Sequence, residues 1–340
     1  MTDWDDDDHW DEAEERLARS GDSSRKRKPK KDPVHSAPSS ATTPGTVVTV
    51  RKQRCKVAIG DDLVTAWLSA DMAAEQKHLI AVGDEVALEK RDREWIVQEV
   101  LPRRTVLSRP DPFSPDKERV VAANVDVVVQ VSAAKEPPLK TGLIDRYLIA
   151  IERGGARPVI CINKTDQTAE DERAEIAGQL VDYHDLGIPI IFCSASTGEG
   201  LDRLREAVSG HTAVLVGHSG VGKSSLLSAL DKELQIATQT LHSGGRSGRH
   251  TTTSSTLYEF PDGTRLIDTP GIREFGIFQL DRKHLRFYFE EFEDYAGGCR
   301  FRDCTHLHEP DCTVKAAAET GELPRYERYV RMAEELDENR

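Results

Sequence analysis

The chain has 340 residues, a formal net charge of −13 at pH 7 and 31% charged residues. This length exceeds what one hydrophobic core usually serves, so we expect two or three domains. The acidic balance excludes a protein that binds nucleic acid over its whole surface, although a local basic patch is still allowed. No run approaches the roughly 20 apolar residues that span a bilayer. The acidic N-terminus also lacks the apolar core of a secretory signal, so we expect a cytoplasmic protein without membrane contact.

The first segment, residues 1–43, is poor in apolar side chains and joins an acidic block to the basic run RKRKPKK at 25–31. Such a segment buries too little surface to offset its ordering entropy, so we predict a disordered acidic and basic tail. Two interpretations of the basic run stay open: a solvated tail, or a contact with RNA phosphates.

Residues 44–104 alternate short apolar runs with turn signals. This spacing predicts a small closed β-barrel of about five strands, of which the oligonucleotide-binding (OB) fold is one kind. Periodicity alone leaves other small barrels open. Several basic side chains of this region would face either RNA or solvent: Arg51, Lys52, Arg54 and Lys56.

From 105 to 280, apolar runs of strand length alternate with helical patterns, which predicts an α/β domain with a mostly parallel sheet. The runs are VDVVVQVSA (125–133), RPVICIN (157–163), IPIIFCSAS (188–196), TAVLVGHS (212–219) and TRLIDTPG (264–271). A helix between the first two runs is predicted by an apolar stripe that glycines terminate. The stripe consists of Leu143, Ile144, Tyr147, Leu148 and Ile151. Residues 281–340 begin with a stretch rich in charged and aromatic side chains, and the remainder is predicted to be helical.

The segment GHSGVGKSS at 217–225 matches the phosphate-loop pattern GxxxxGK[ST], between an apolar strand and an apolar helix. Its backbone N–H groups would turn toward one phosphate, and the helix N-terminus would add partial positive charge. Lys223 would reach the β- and γ-phosphates as a catalytic residue, and Ser224 would ligate Mg²⁺. We assign nucleotide binding to the whole loop: Gly217, His218, Ser219, Gly220, Val221, Gly222, Lys223, Ser224 and Ser225.

Two residues of LIDTPG complete the phosphate side of the site. Asp268 ends the strand and would hold the magnesium shell, and the backbone of Gly271 would approach the γ-phosphate closely. The following Ile272 stands where many GTPases place a glutamine, and an isoleucine cannot orient a water molecule.

The stretch GGRSGRHTTTSS at 244–255 has no apolar periodicity and predicts a mobile switch. Thr251 or Thr252 would close onto Mg²⁺. His250 is our candidate for positioning or polarising the attacking water. The alternative is a switch histidine that only contacts a partner.

The stretches NKTD at 163–166 and SAS at 194–196 each follow a predicted strand. The Asp166 carboxylate could accept hydrogen bonds from N1–H and the 2-amino group of guanine, and adenine has no such donor pair. The remaining guanine-site residues would brace the loop, cover the base or place a backbone N–H near the guanine oxygen. They are Asn163, Lys164, Thr165, Ser194 and Ala195.

These guanine motifs precede the phosphate loop, whereas an ordinary GTPase has the reverse order. We interpret the order as a circular permutation, which domain termini that lie near each other permit. The chain then runs from the switch after Asp268 directly into residues 281–340. We hypothesise that loss of the γ-phosphate is passed mechanically to that region.

The stretch CRFRDCTHLHEPDC at 299–312 concentrates three cysteines beside histidines, a pattern that in a reducing compartment indicates metal rather than disulfides. Three thiolates and one imidazole suit tetrahedral Zn²⁺, and four protein ligands leave no open position for catalysis. The spacing favours a structural zinc site made of Cys299, Cys304, His306 and Cys312, with His308 as a competitor to His306. Cysteines without metal are the alternative.

Together these stretches resemble the ribosome small subunit-dependent GTPases, the RsgA (YjeQ) family of bacterial circularly permuted GTPases. The resemblance covers about 44–325 and rests on VGDEVALE, VLPRRTVLSRP, NKTD, GHSGVGKSSL, GRHTTT, DTPGIREF and CRFRDCTHLHEPDC. It implies an OB barrel, a permuted GTPase core and a helical zinc domain. It also assigns the imidazole ligand to His306 and the family's switch histidine to His250.

The resemblance further implies a Mg²⁺-dependent enzyme that hydrolyses GTP to GDP and phosphate. It implies a late role in maturation of the small ribosomal subunit, through binding to its rRNA, with hydrolysis stimulated by the subunit and coupled to release. We expect a monomer with one structural zinc, and the long N-terminal tail departs from the family pattern. Two other classes are a nucleotide-gated protein scaffold and a zinc-dependent nucleic-acid enzyme, and the four zinc ligands argue against the second.

Overall fold

The computed structural model describes residues 42–51, 54–69, 72, 80–111, 114–235, 255–268 and 280–338. Its first part is a closed barrel of five strands, connected in the order β1-β2-β3-β5-β4 with β4 returning to β1. The strands are β1 (Thr43–Arg51), β2 (Arg54–Ile59), β3 (Asp62–Leu68), β4 (Glu85–Arg91) and β5 (Glu94–Val100). Alternate residues fill the interior, among them Val47, Val57 and Leu88, which are fully buried. The predicted barrel is confirmed.

Two tight turns set the register of the barrel hairpins. Ile59 pairs with Asp62, which leaves a two-residue loop with Gly60 at a φ of 56°. Arg91 pairs with Glu94 around Asp92, whose φ is 54°. Glycine and aspartate tolerate this left-handed backbone better than most residues, so both hairpins close with minimal loops.

An antiparallel hairpin, β6 (Val106–Asp111) and β7 (Ser114–Ala123), follows the barrel as a separate two-stranded sheet. The sequence analysis did not predict it. Pro110 lies inside β6, and the register shifts between Pro110 and Asp111. Proline has no backbone N–H to donate between strands and is confined to sheet edges and bulges. Its presence in a sequence therefore argues against a strand, which is why the pattern did not predict this one.

The α/β domain carries the predicted parallel sheet, in the order β10-β9-β8-β11-β13. Its strands are β8 (Val127–Ala133), β9 (Arg157–Asn163), β10 (Ile190–Phe192), β11 (Thr212–Val216) and β13 (Arg265–Asp268). The antiparallel β12 (Thr256–Glu259) borders β13 and pairs with β1 through Thr256 and Thr49, which the sequence analysis did not predict. The barrel and the α/β domain therefore share one hydrogen-bonded sheet.

Helices cover both faces of this sheet. They are α1 (Thr141–Arg153), α2 (Glu170–Gly178), α3 (Val181–Asp185), α4 (Leu201–Val208) and α5 (Lys223–Gln235). Ile144 and Leu148 of α1 pack with Ile160 and with α2 and α3, whereas Val129 packs on the opposite face with α4 and α5. The two-sided burial explains why the strand sequences are continuously apolar.

The C-terminal region is helical, as predicted, and is built around an aromatic cluster. Its helices are α6 (Arg282–Leu285), α7 (Glu293–Ala296), α8 (Thr313–Glu319) and α9 (Tyr326–Glu338). Phe289 stacks on Phe292 with ring centroids 5.3 Å apart, and Tyr329 contacts both rings edge-on at 5.1 Å. Ile149 of α1 joins the same cluster, so the region packs directly on the α/β domain. Across the described ranges, no helix has both the length and the apolar character that a bilayer crossing requires.

Candidate nucleotide site and metal centre

The carboxyl ends of the parallel strands bring the predicted nucleotide motifs to one edge of the sheet, called here the nucleotide edge. NKTD follows β9, SAS follows β10, the phosphate loop follows β11, and Asp268 ends β13. From β8 the chain continues toward β9 on one side, and β11 lies on the other side of β8. This reversal of strand order leaves a crevice outside the strand ends, where open α/β sheets bind ligands.

The phosphate loop needs glycine at two positions because neighbouring groups lie against its backbone. Gly217 has a φ of 147°, and a Cβ there would lie 2.2 Å from the carbonyl oxygen of Val131 on β8. Gly222 has a φ of 93°, and a Cβ there would lie 2.3 Å from Asn163 Nδ2. The loop is thereby seated on β8 and on the NKTD loop before α5 begins at Lys223.

The Lys223 ammonium group lies across this loop. Its Nζ donates to the carbonyl oxygens of Gly217 at 2.7 Å and His218 at 3.0 Å. Ser224 is exposed in the first turn of α5, and Asp268 is half-buried at the end of β13. A hydroxyl and a carboxylate offer the oxygen ligands that Mg²⁺ prefers, and they follow or end adjacent strands, so these two residues fit the predicted magnesium role.

Asn163 joins three of the four motifs through one side chain, which is 1% exposed. Its Nδ2 donates to the carbonyl oxygen of Val221 in the phosphate loop at 2.9 Å. Its Oδ1 accepts from the backbone N–H of Ala195 at 3.2 Å. The NKTD and SAS loops are thus tied to the phosphate loop, as the predicted recognition of both ends of one nucleotide requires.

Asp166 presents an exposed carboxylate at the nucleotide edge. The hydroxyl of the buried Ser194 donates to Asp166 Oδ1 at 2.6 Å, and Ser196 Oγ lies 2.9 Å from Ser194 Oγ. The Ser194 hydrogen bond is the main cause that lowers the pKa of Asp166. The group is therefore ionised at neutral pH, which acceptance of two hydrogen bonds from guanine requires.

The backbone N–H of Ala195 points to Asn163 in this structure. Its predicted position near a guanine oxygen stays a prediction. Lys164 has a φ of 66°, and its Nζ donates to the carbonyl oxygen of Glu136 in the loop after β8 at 2.6 Å. That contact holds the lysine stem beside the phosphate loop, where its Cε lies 3.9 Å from the Cβ position of Gly222.

Glu199 and Arg173, which the sequence analysis missed, support the NKTD loop through its Thr165. The buried Thr165 places Oγ1 3.0 Å from the Cys193 carbonyl oxygen and 3.0 Å from Glu199 Oε2. Arg173 donates to Glu199 Oε1 at 2.8 Å and to the Thr165 carbonyl oxygen at 2.8 Å. Glu199 follows SAS closely in sequence, but nothing in the local pattern marks its link to Arg173 on α2.

The three cysteines and His306 come together in the C-terminal region, as the zinc prediction requires. Their ligand atoms all lie within 4.8 Å of one another. Cys299 Sγ lies 3.8 Å from Cys312 Sγ and 3.6 Å from His306 Nδ1, which is itself 3.4 Å from Cys312 Sγ. A tetrahedral zinc with bonds of about 2.3 Å to sulfur separates its ligand atoms by about 3.6–3.8 Å, so the residues fit one zinc ion. His308 is exposed and lies outside this group.

Four predicted site residues fall outside the described residues. They are His250, Thr251, Thr252 and Gly271. Their assigned roles therefore stay predictions.

The sheet, the crevice and the motifs at the nucleotide edge define a P-loop nucleotide-binding domain in which the base motifs precede the phosphate loop. A family model described as RsgA GTPase matches residues 100–278. The small ribosomal subunit biogenesis GTPase RsgA of Actinobacillus pleuropneumoniae serotype 5b (strain L20) is 40% identical over 268 residues, which cover 77% of each chain. Its counterpart in Haemophilus influenzae (strain PittEE) is 39% identical with the same coverage.

Two solved structures are similar over nearly their whole length. YjeQ from Thermotoga maritima matches with a TM-score of 0.70 and 33% identity, covering 87% of this chain and 99% of YjeQ. YloQ, a circularly permuted GTPase, matches with a TM-score of 0.67 and 27% identity, covering 88% of this chain and 96% of YloQ. The chain belongs to the RsgA GTPase family, and the resemblance inferred from its motifs is confirmed.

Proposed function

We propose that this protein is a cytoplasmic, monomeric GTP hydrolase that binds the small ribosomal subunit and acts late in its maturation. Hydrolysis would be stimulated by the subunit and coupled to release from it. The names of the relatives support the ribosomal assignment. The observation that carries the GTPase assignment is Asn163, which hydrogen-bonds to both a guanine-type loop and the phosphate loop.

In this proposal the nucleotide lies along the nucleotide edge. Asp166 accepts hydrogen bonds from the guanine, and Lys223 turns from the loop carbonyl oxygens toward the β- and γ-phosphates. Ser224, Asp268 and, outside the described residues, Thr252 would hold Mg²⁺, which neutralises charge on the phosphates during transfer. The backbones of Gly217 and Gly222 let the loop N–H groups approach the phosphates closely.

His250 is proposed to position the attacking water, because Ile272 cannot do so. His250→Ala should lower the turnover number by about 10²-fold or more, the usual contribution of a positioned acid–base group, with little change in GTP affinity. Multiple-turnover hydrolysis at saturating GTP and a titration with a fluorescent, non-hydrolysable GTP analogue would measure the two quantities. His184→Ala, which changes a histidine with an 81% exposed side chain on α3, is the matched control. Unchanged turnover in His250→Ala would remove the assignment.

The outer face of the barrel supports an RNA partner. Arg54 on β2 is paired with Trp67 on β3, and its guanidinium lies 6.0 Å from the centre of the Trp67 ring. Trp67 is 39% exposed, and Leu63 on the same strand is 47% exposed. A basic group beside an exposed ring suits unpaired RNA, whose bases stack on aromatic side chains while phosphates meet cations.

The test is GTP hydrolysis by the purified protein alone, with mature small ribosomal subunits, and with large subunits as the control. We expect a strong rise in rate with small subunits only. Equal rates under all three conditions would contradict the ribosomal assignment and favour a nucleotide-gated protein scaffold. Asp268→Asn weakens the proposed magnesium shell and should abolish both basal and stimulated hydrolysis. Any hydrolysis that remains with this variant would come from a contaminating enzyme.

A further inference from the structure

A cavity of about 190 Å³ opens beside the four candidate zinc ligands, two of which line it, and is called here the zinc-side pocket. Its lining includes Phe287, Phe301, Arg286, Arg302 and Glu293. Phe287 is 57% exposed and Phe301 is 40% exposed. Single exposed apolar residues are ordinary on a protein surface. Two exposed phenylalanines that face one pocket with a polar rim are unusual, because each side chain gives up the favourable free energy of burial.

The arginines of the zinc-side pocket are already positioned. Arg286 donates to the carbonyl oxygen of Cys304 in the zinc loop, and its guanidinium lies 4.7 Å from the Phe287 ring centre. The guanidinium of Arg300 lies 5.5 Å from the Phe301 ring centre and also pairs with Asp311 at 3.0 Å. Arg302 is exposed on the rim. The pocket thus has two rings, each with a cation alongside.

We infer that the zinc-side pocket binds one unstacked base of single-stranded RNA, with Arg302 and Arg300 contacting the neighbouring phosphates. The rings offer stacking surfaces, and the Glu293 carboxylate can accept a hydrogen bond from a base N–H group. Charge complementarity selects RNA over an apolar peptide, because Arg286 and Arg302 line the pocket with Glu293 as its one acidic residue. Arg300 lies beside the Phe301 ring and is paired with Asp311. The inference rests on the proposed function only for the source of the RNA, which would be the rRNA of the small subunit.

The test uses full-length protein and a fluorescent single-stranded RNA of mixed, unstructured sequence, measured by anisotropy. Phe301→Ala and Phe287→Ala should each weaken binding by about 5- to 150-fold, the range for loss of one stacked base. Phe301→Tyr keeps the ring and should bind as the wild type does, whereas Phe301→Leu should behave as Phe301→Ala. Val181→Ala, which changes a 49% exposed side chain on α3, is the matched control.

Two further readouts separate base stacking from general charge attraction. An abasic oligonucleotide of the same length should bind the wild type and Phe301→Ala equally. Arg302→Ala should reduce the slope of log affinity against log salt by about 0.7, as expected for one lost phosphate contact on a single strand. Zinc content and circular dichroism of each variant verify the fold.

Unchanged RNA affinity in both phenylalanine-to-alanine variants would overturn the inference, and so would full affinity in Phe301→Leu, which would indicate an apolar groove for protein. Failure of the proposed function would be seen separately, as absent subunit stimulation in the wild type. A loss of RNA binding in the variants would support the pocket even then, with the RNA drawn from another source.

Discussion

Single side chains fix the nucleotide site, and Asn163 shows why the residue type matters. Its amide uses the donor toward Val221 and the acceptor toward Ala195, so neither an aspartate nor a leucine could make both bonds. The motif NKTD predicts that Asn163 braces its own loop. Its reach to Val221, 58 residues away, depends on the order of the strands and could not be predicted from the motif.

Asp166→Asn tests guanine recognition at this scale. The amide loses the charged acceptor for N1–H and the 2-amino group, so GDP affinity should fall by about 100-fold or more. Xanthine carries a carbonyl at position 2, which the new amide N–H can meet, so XDP should bind the variant better than GDP. Competition against a fluorescent nucleotide measures both affinities.

The control for this change is Asp185→Asn on α3, whose carboxylate belongs to a 72% exposed side chain. It should leave both affinities at their wild-type values. If Asp166→Asn retained GDP affinity, or failed to gain any preference for XDP, Asp166 would not be the guanine-reading residue.

At the scale of elements, the loop that carries the candidate zinc ligands, residues 299–312, depends on one carboxylate that its cysteine pattern does not reveal. Glu309 accepts from Thr305 N at 2.7 Å, Thr305 Oγ1 at 2.6 Å, Leu307 N at 3.0 Å and His308 N at 3.2 Å. Burial acts to raise the pKa of Glu309, but these hydrogen bonds outweigh it and lower the pKa to about 2. The carboxylate therefore organises the turn in which His306 adopts a φ of 60°.

Glu309→Gln should weaken zinc binding by about 10-fold or more, the usual effect of losing support behind the ligands. In the wild type, four donors share the two carboxylate oxygens of Glu309. In the glutamine variant one of these oxygens is replaced by an amide nitrogen, which cannot accept a hydrogen bond, so a single oxygen is left for all four donors. Competition with a chromophoric chelator at neutral pH measures the affinity. Glu327→Gln on α9, where the side chain is 84% exposed, is the matched control. Equal zinc affinity in all three proteins would contradict the role of Glu309.

Most elements with a strong period were predictable, and those formed by long-range pairing were not. The apolar runs at 125–133 and 157–163 contain β8 and β9, and the helical stripe around Tyr147 is buried as α1. By contrast, β12 has four residues and exists because it borders both β13 and β1. A strand this short carries too few alternations to show a period, so its partners determine it.

At the scale of the whole molecule, a buried ionic network attaches the C-terminal region to the α/β domain. Asp145 on α1 is fully buried and contacts Arg325 Nε at 3.1 Å and Arg328 Nε at 2.8 Å. Arg328 also pairs with Asp182 at 2.9 Å, and Arg325 with Glu291 at 3.0 Å. Arg325 and Asp145 are 180 residues apart, so no local pattern could predict their contact.

The same interface is incompletely filled by apolar packing. A cavity of about 540 Å³ lies between the two regions, lined in part by Leu148, Tyr288, Glu290 and Arg325. Apolar contacts are interrupted there, so the charged network around Asp145 shares the attachment of the C-terminal region with the packing of Ile149.

Asp145→Asn should lower the free energy of unfolding by about 3–5 kcal/mol, because two largely buried guanidinium groups lose their shared carboxylate. Glu335→Gln is the matched control: Glu335 on α9 pairs with Arg146 on α1, so it joins the same two helices, but both side chains are over 40% exposed. Its effect should stay below about 1 kcal/mol. Urea unfolding of the two variants measures the difference.

The functional consequence follows from the path of the chain, which runs from Asp268 at the nucleotide edge into α6 of the C-terminal region. If hydrolysis is coupled to release through that region, Asp145→Asn should lose most subunit stimulation at a temperature where it is still folded. Its GDP affinity should be unchanged, because Asp145 lies on α1 and makes no contact with the nucleotide motifs among the described residues. Full stimulation in Asp145→Asn, despite a weakened interface, would contradict coupling through the C-terminal region.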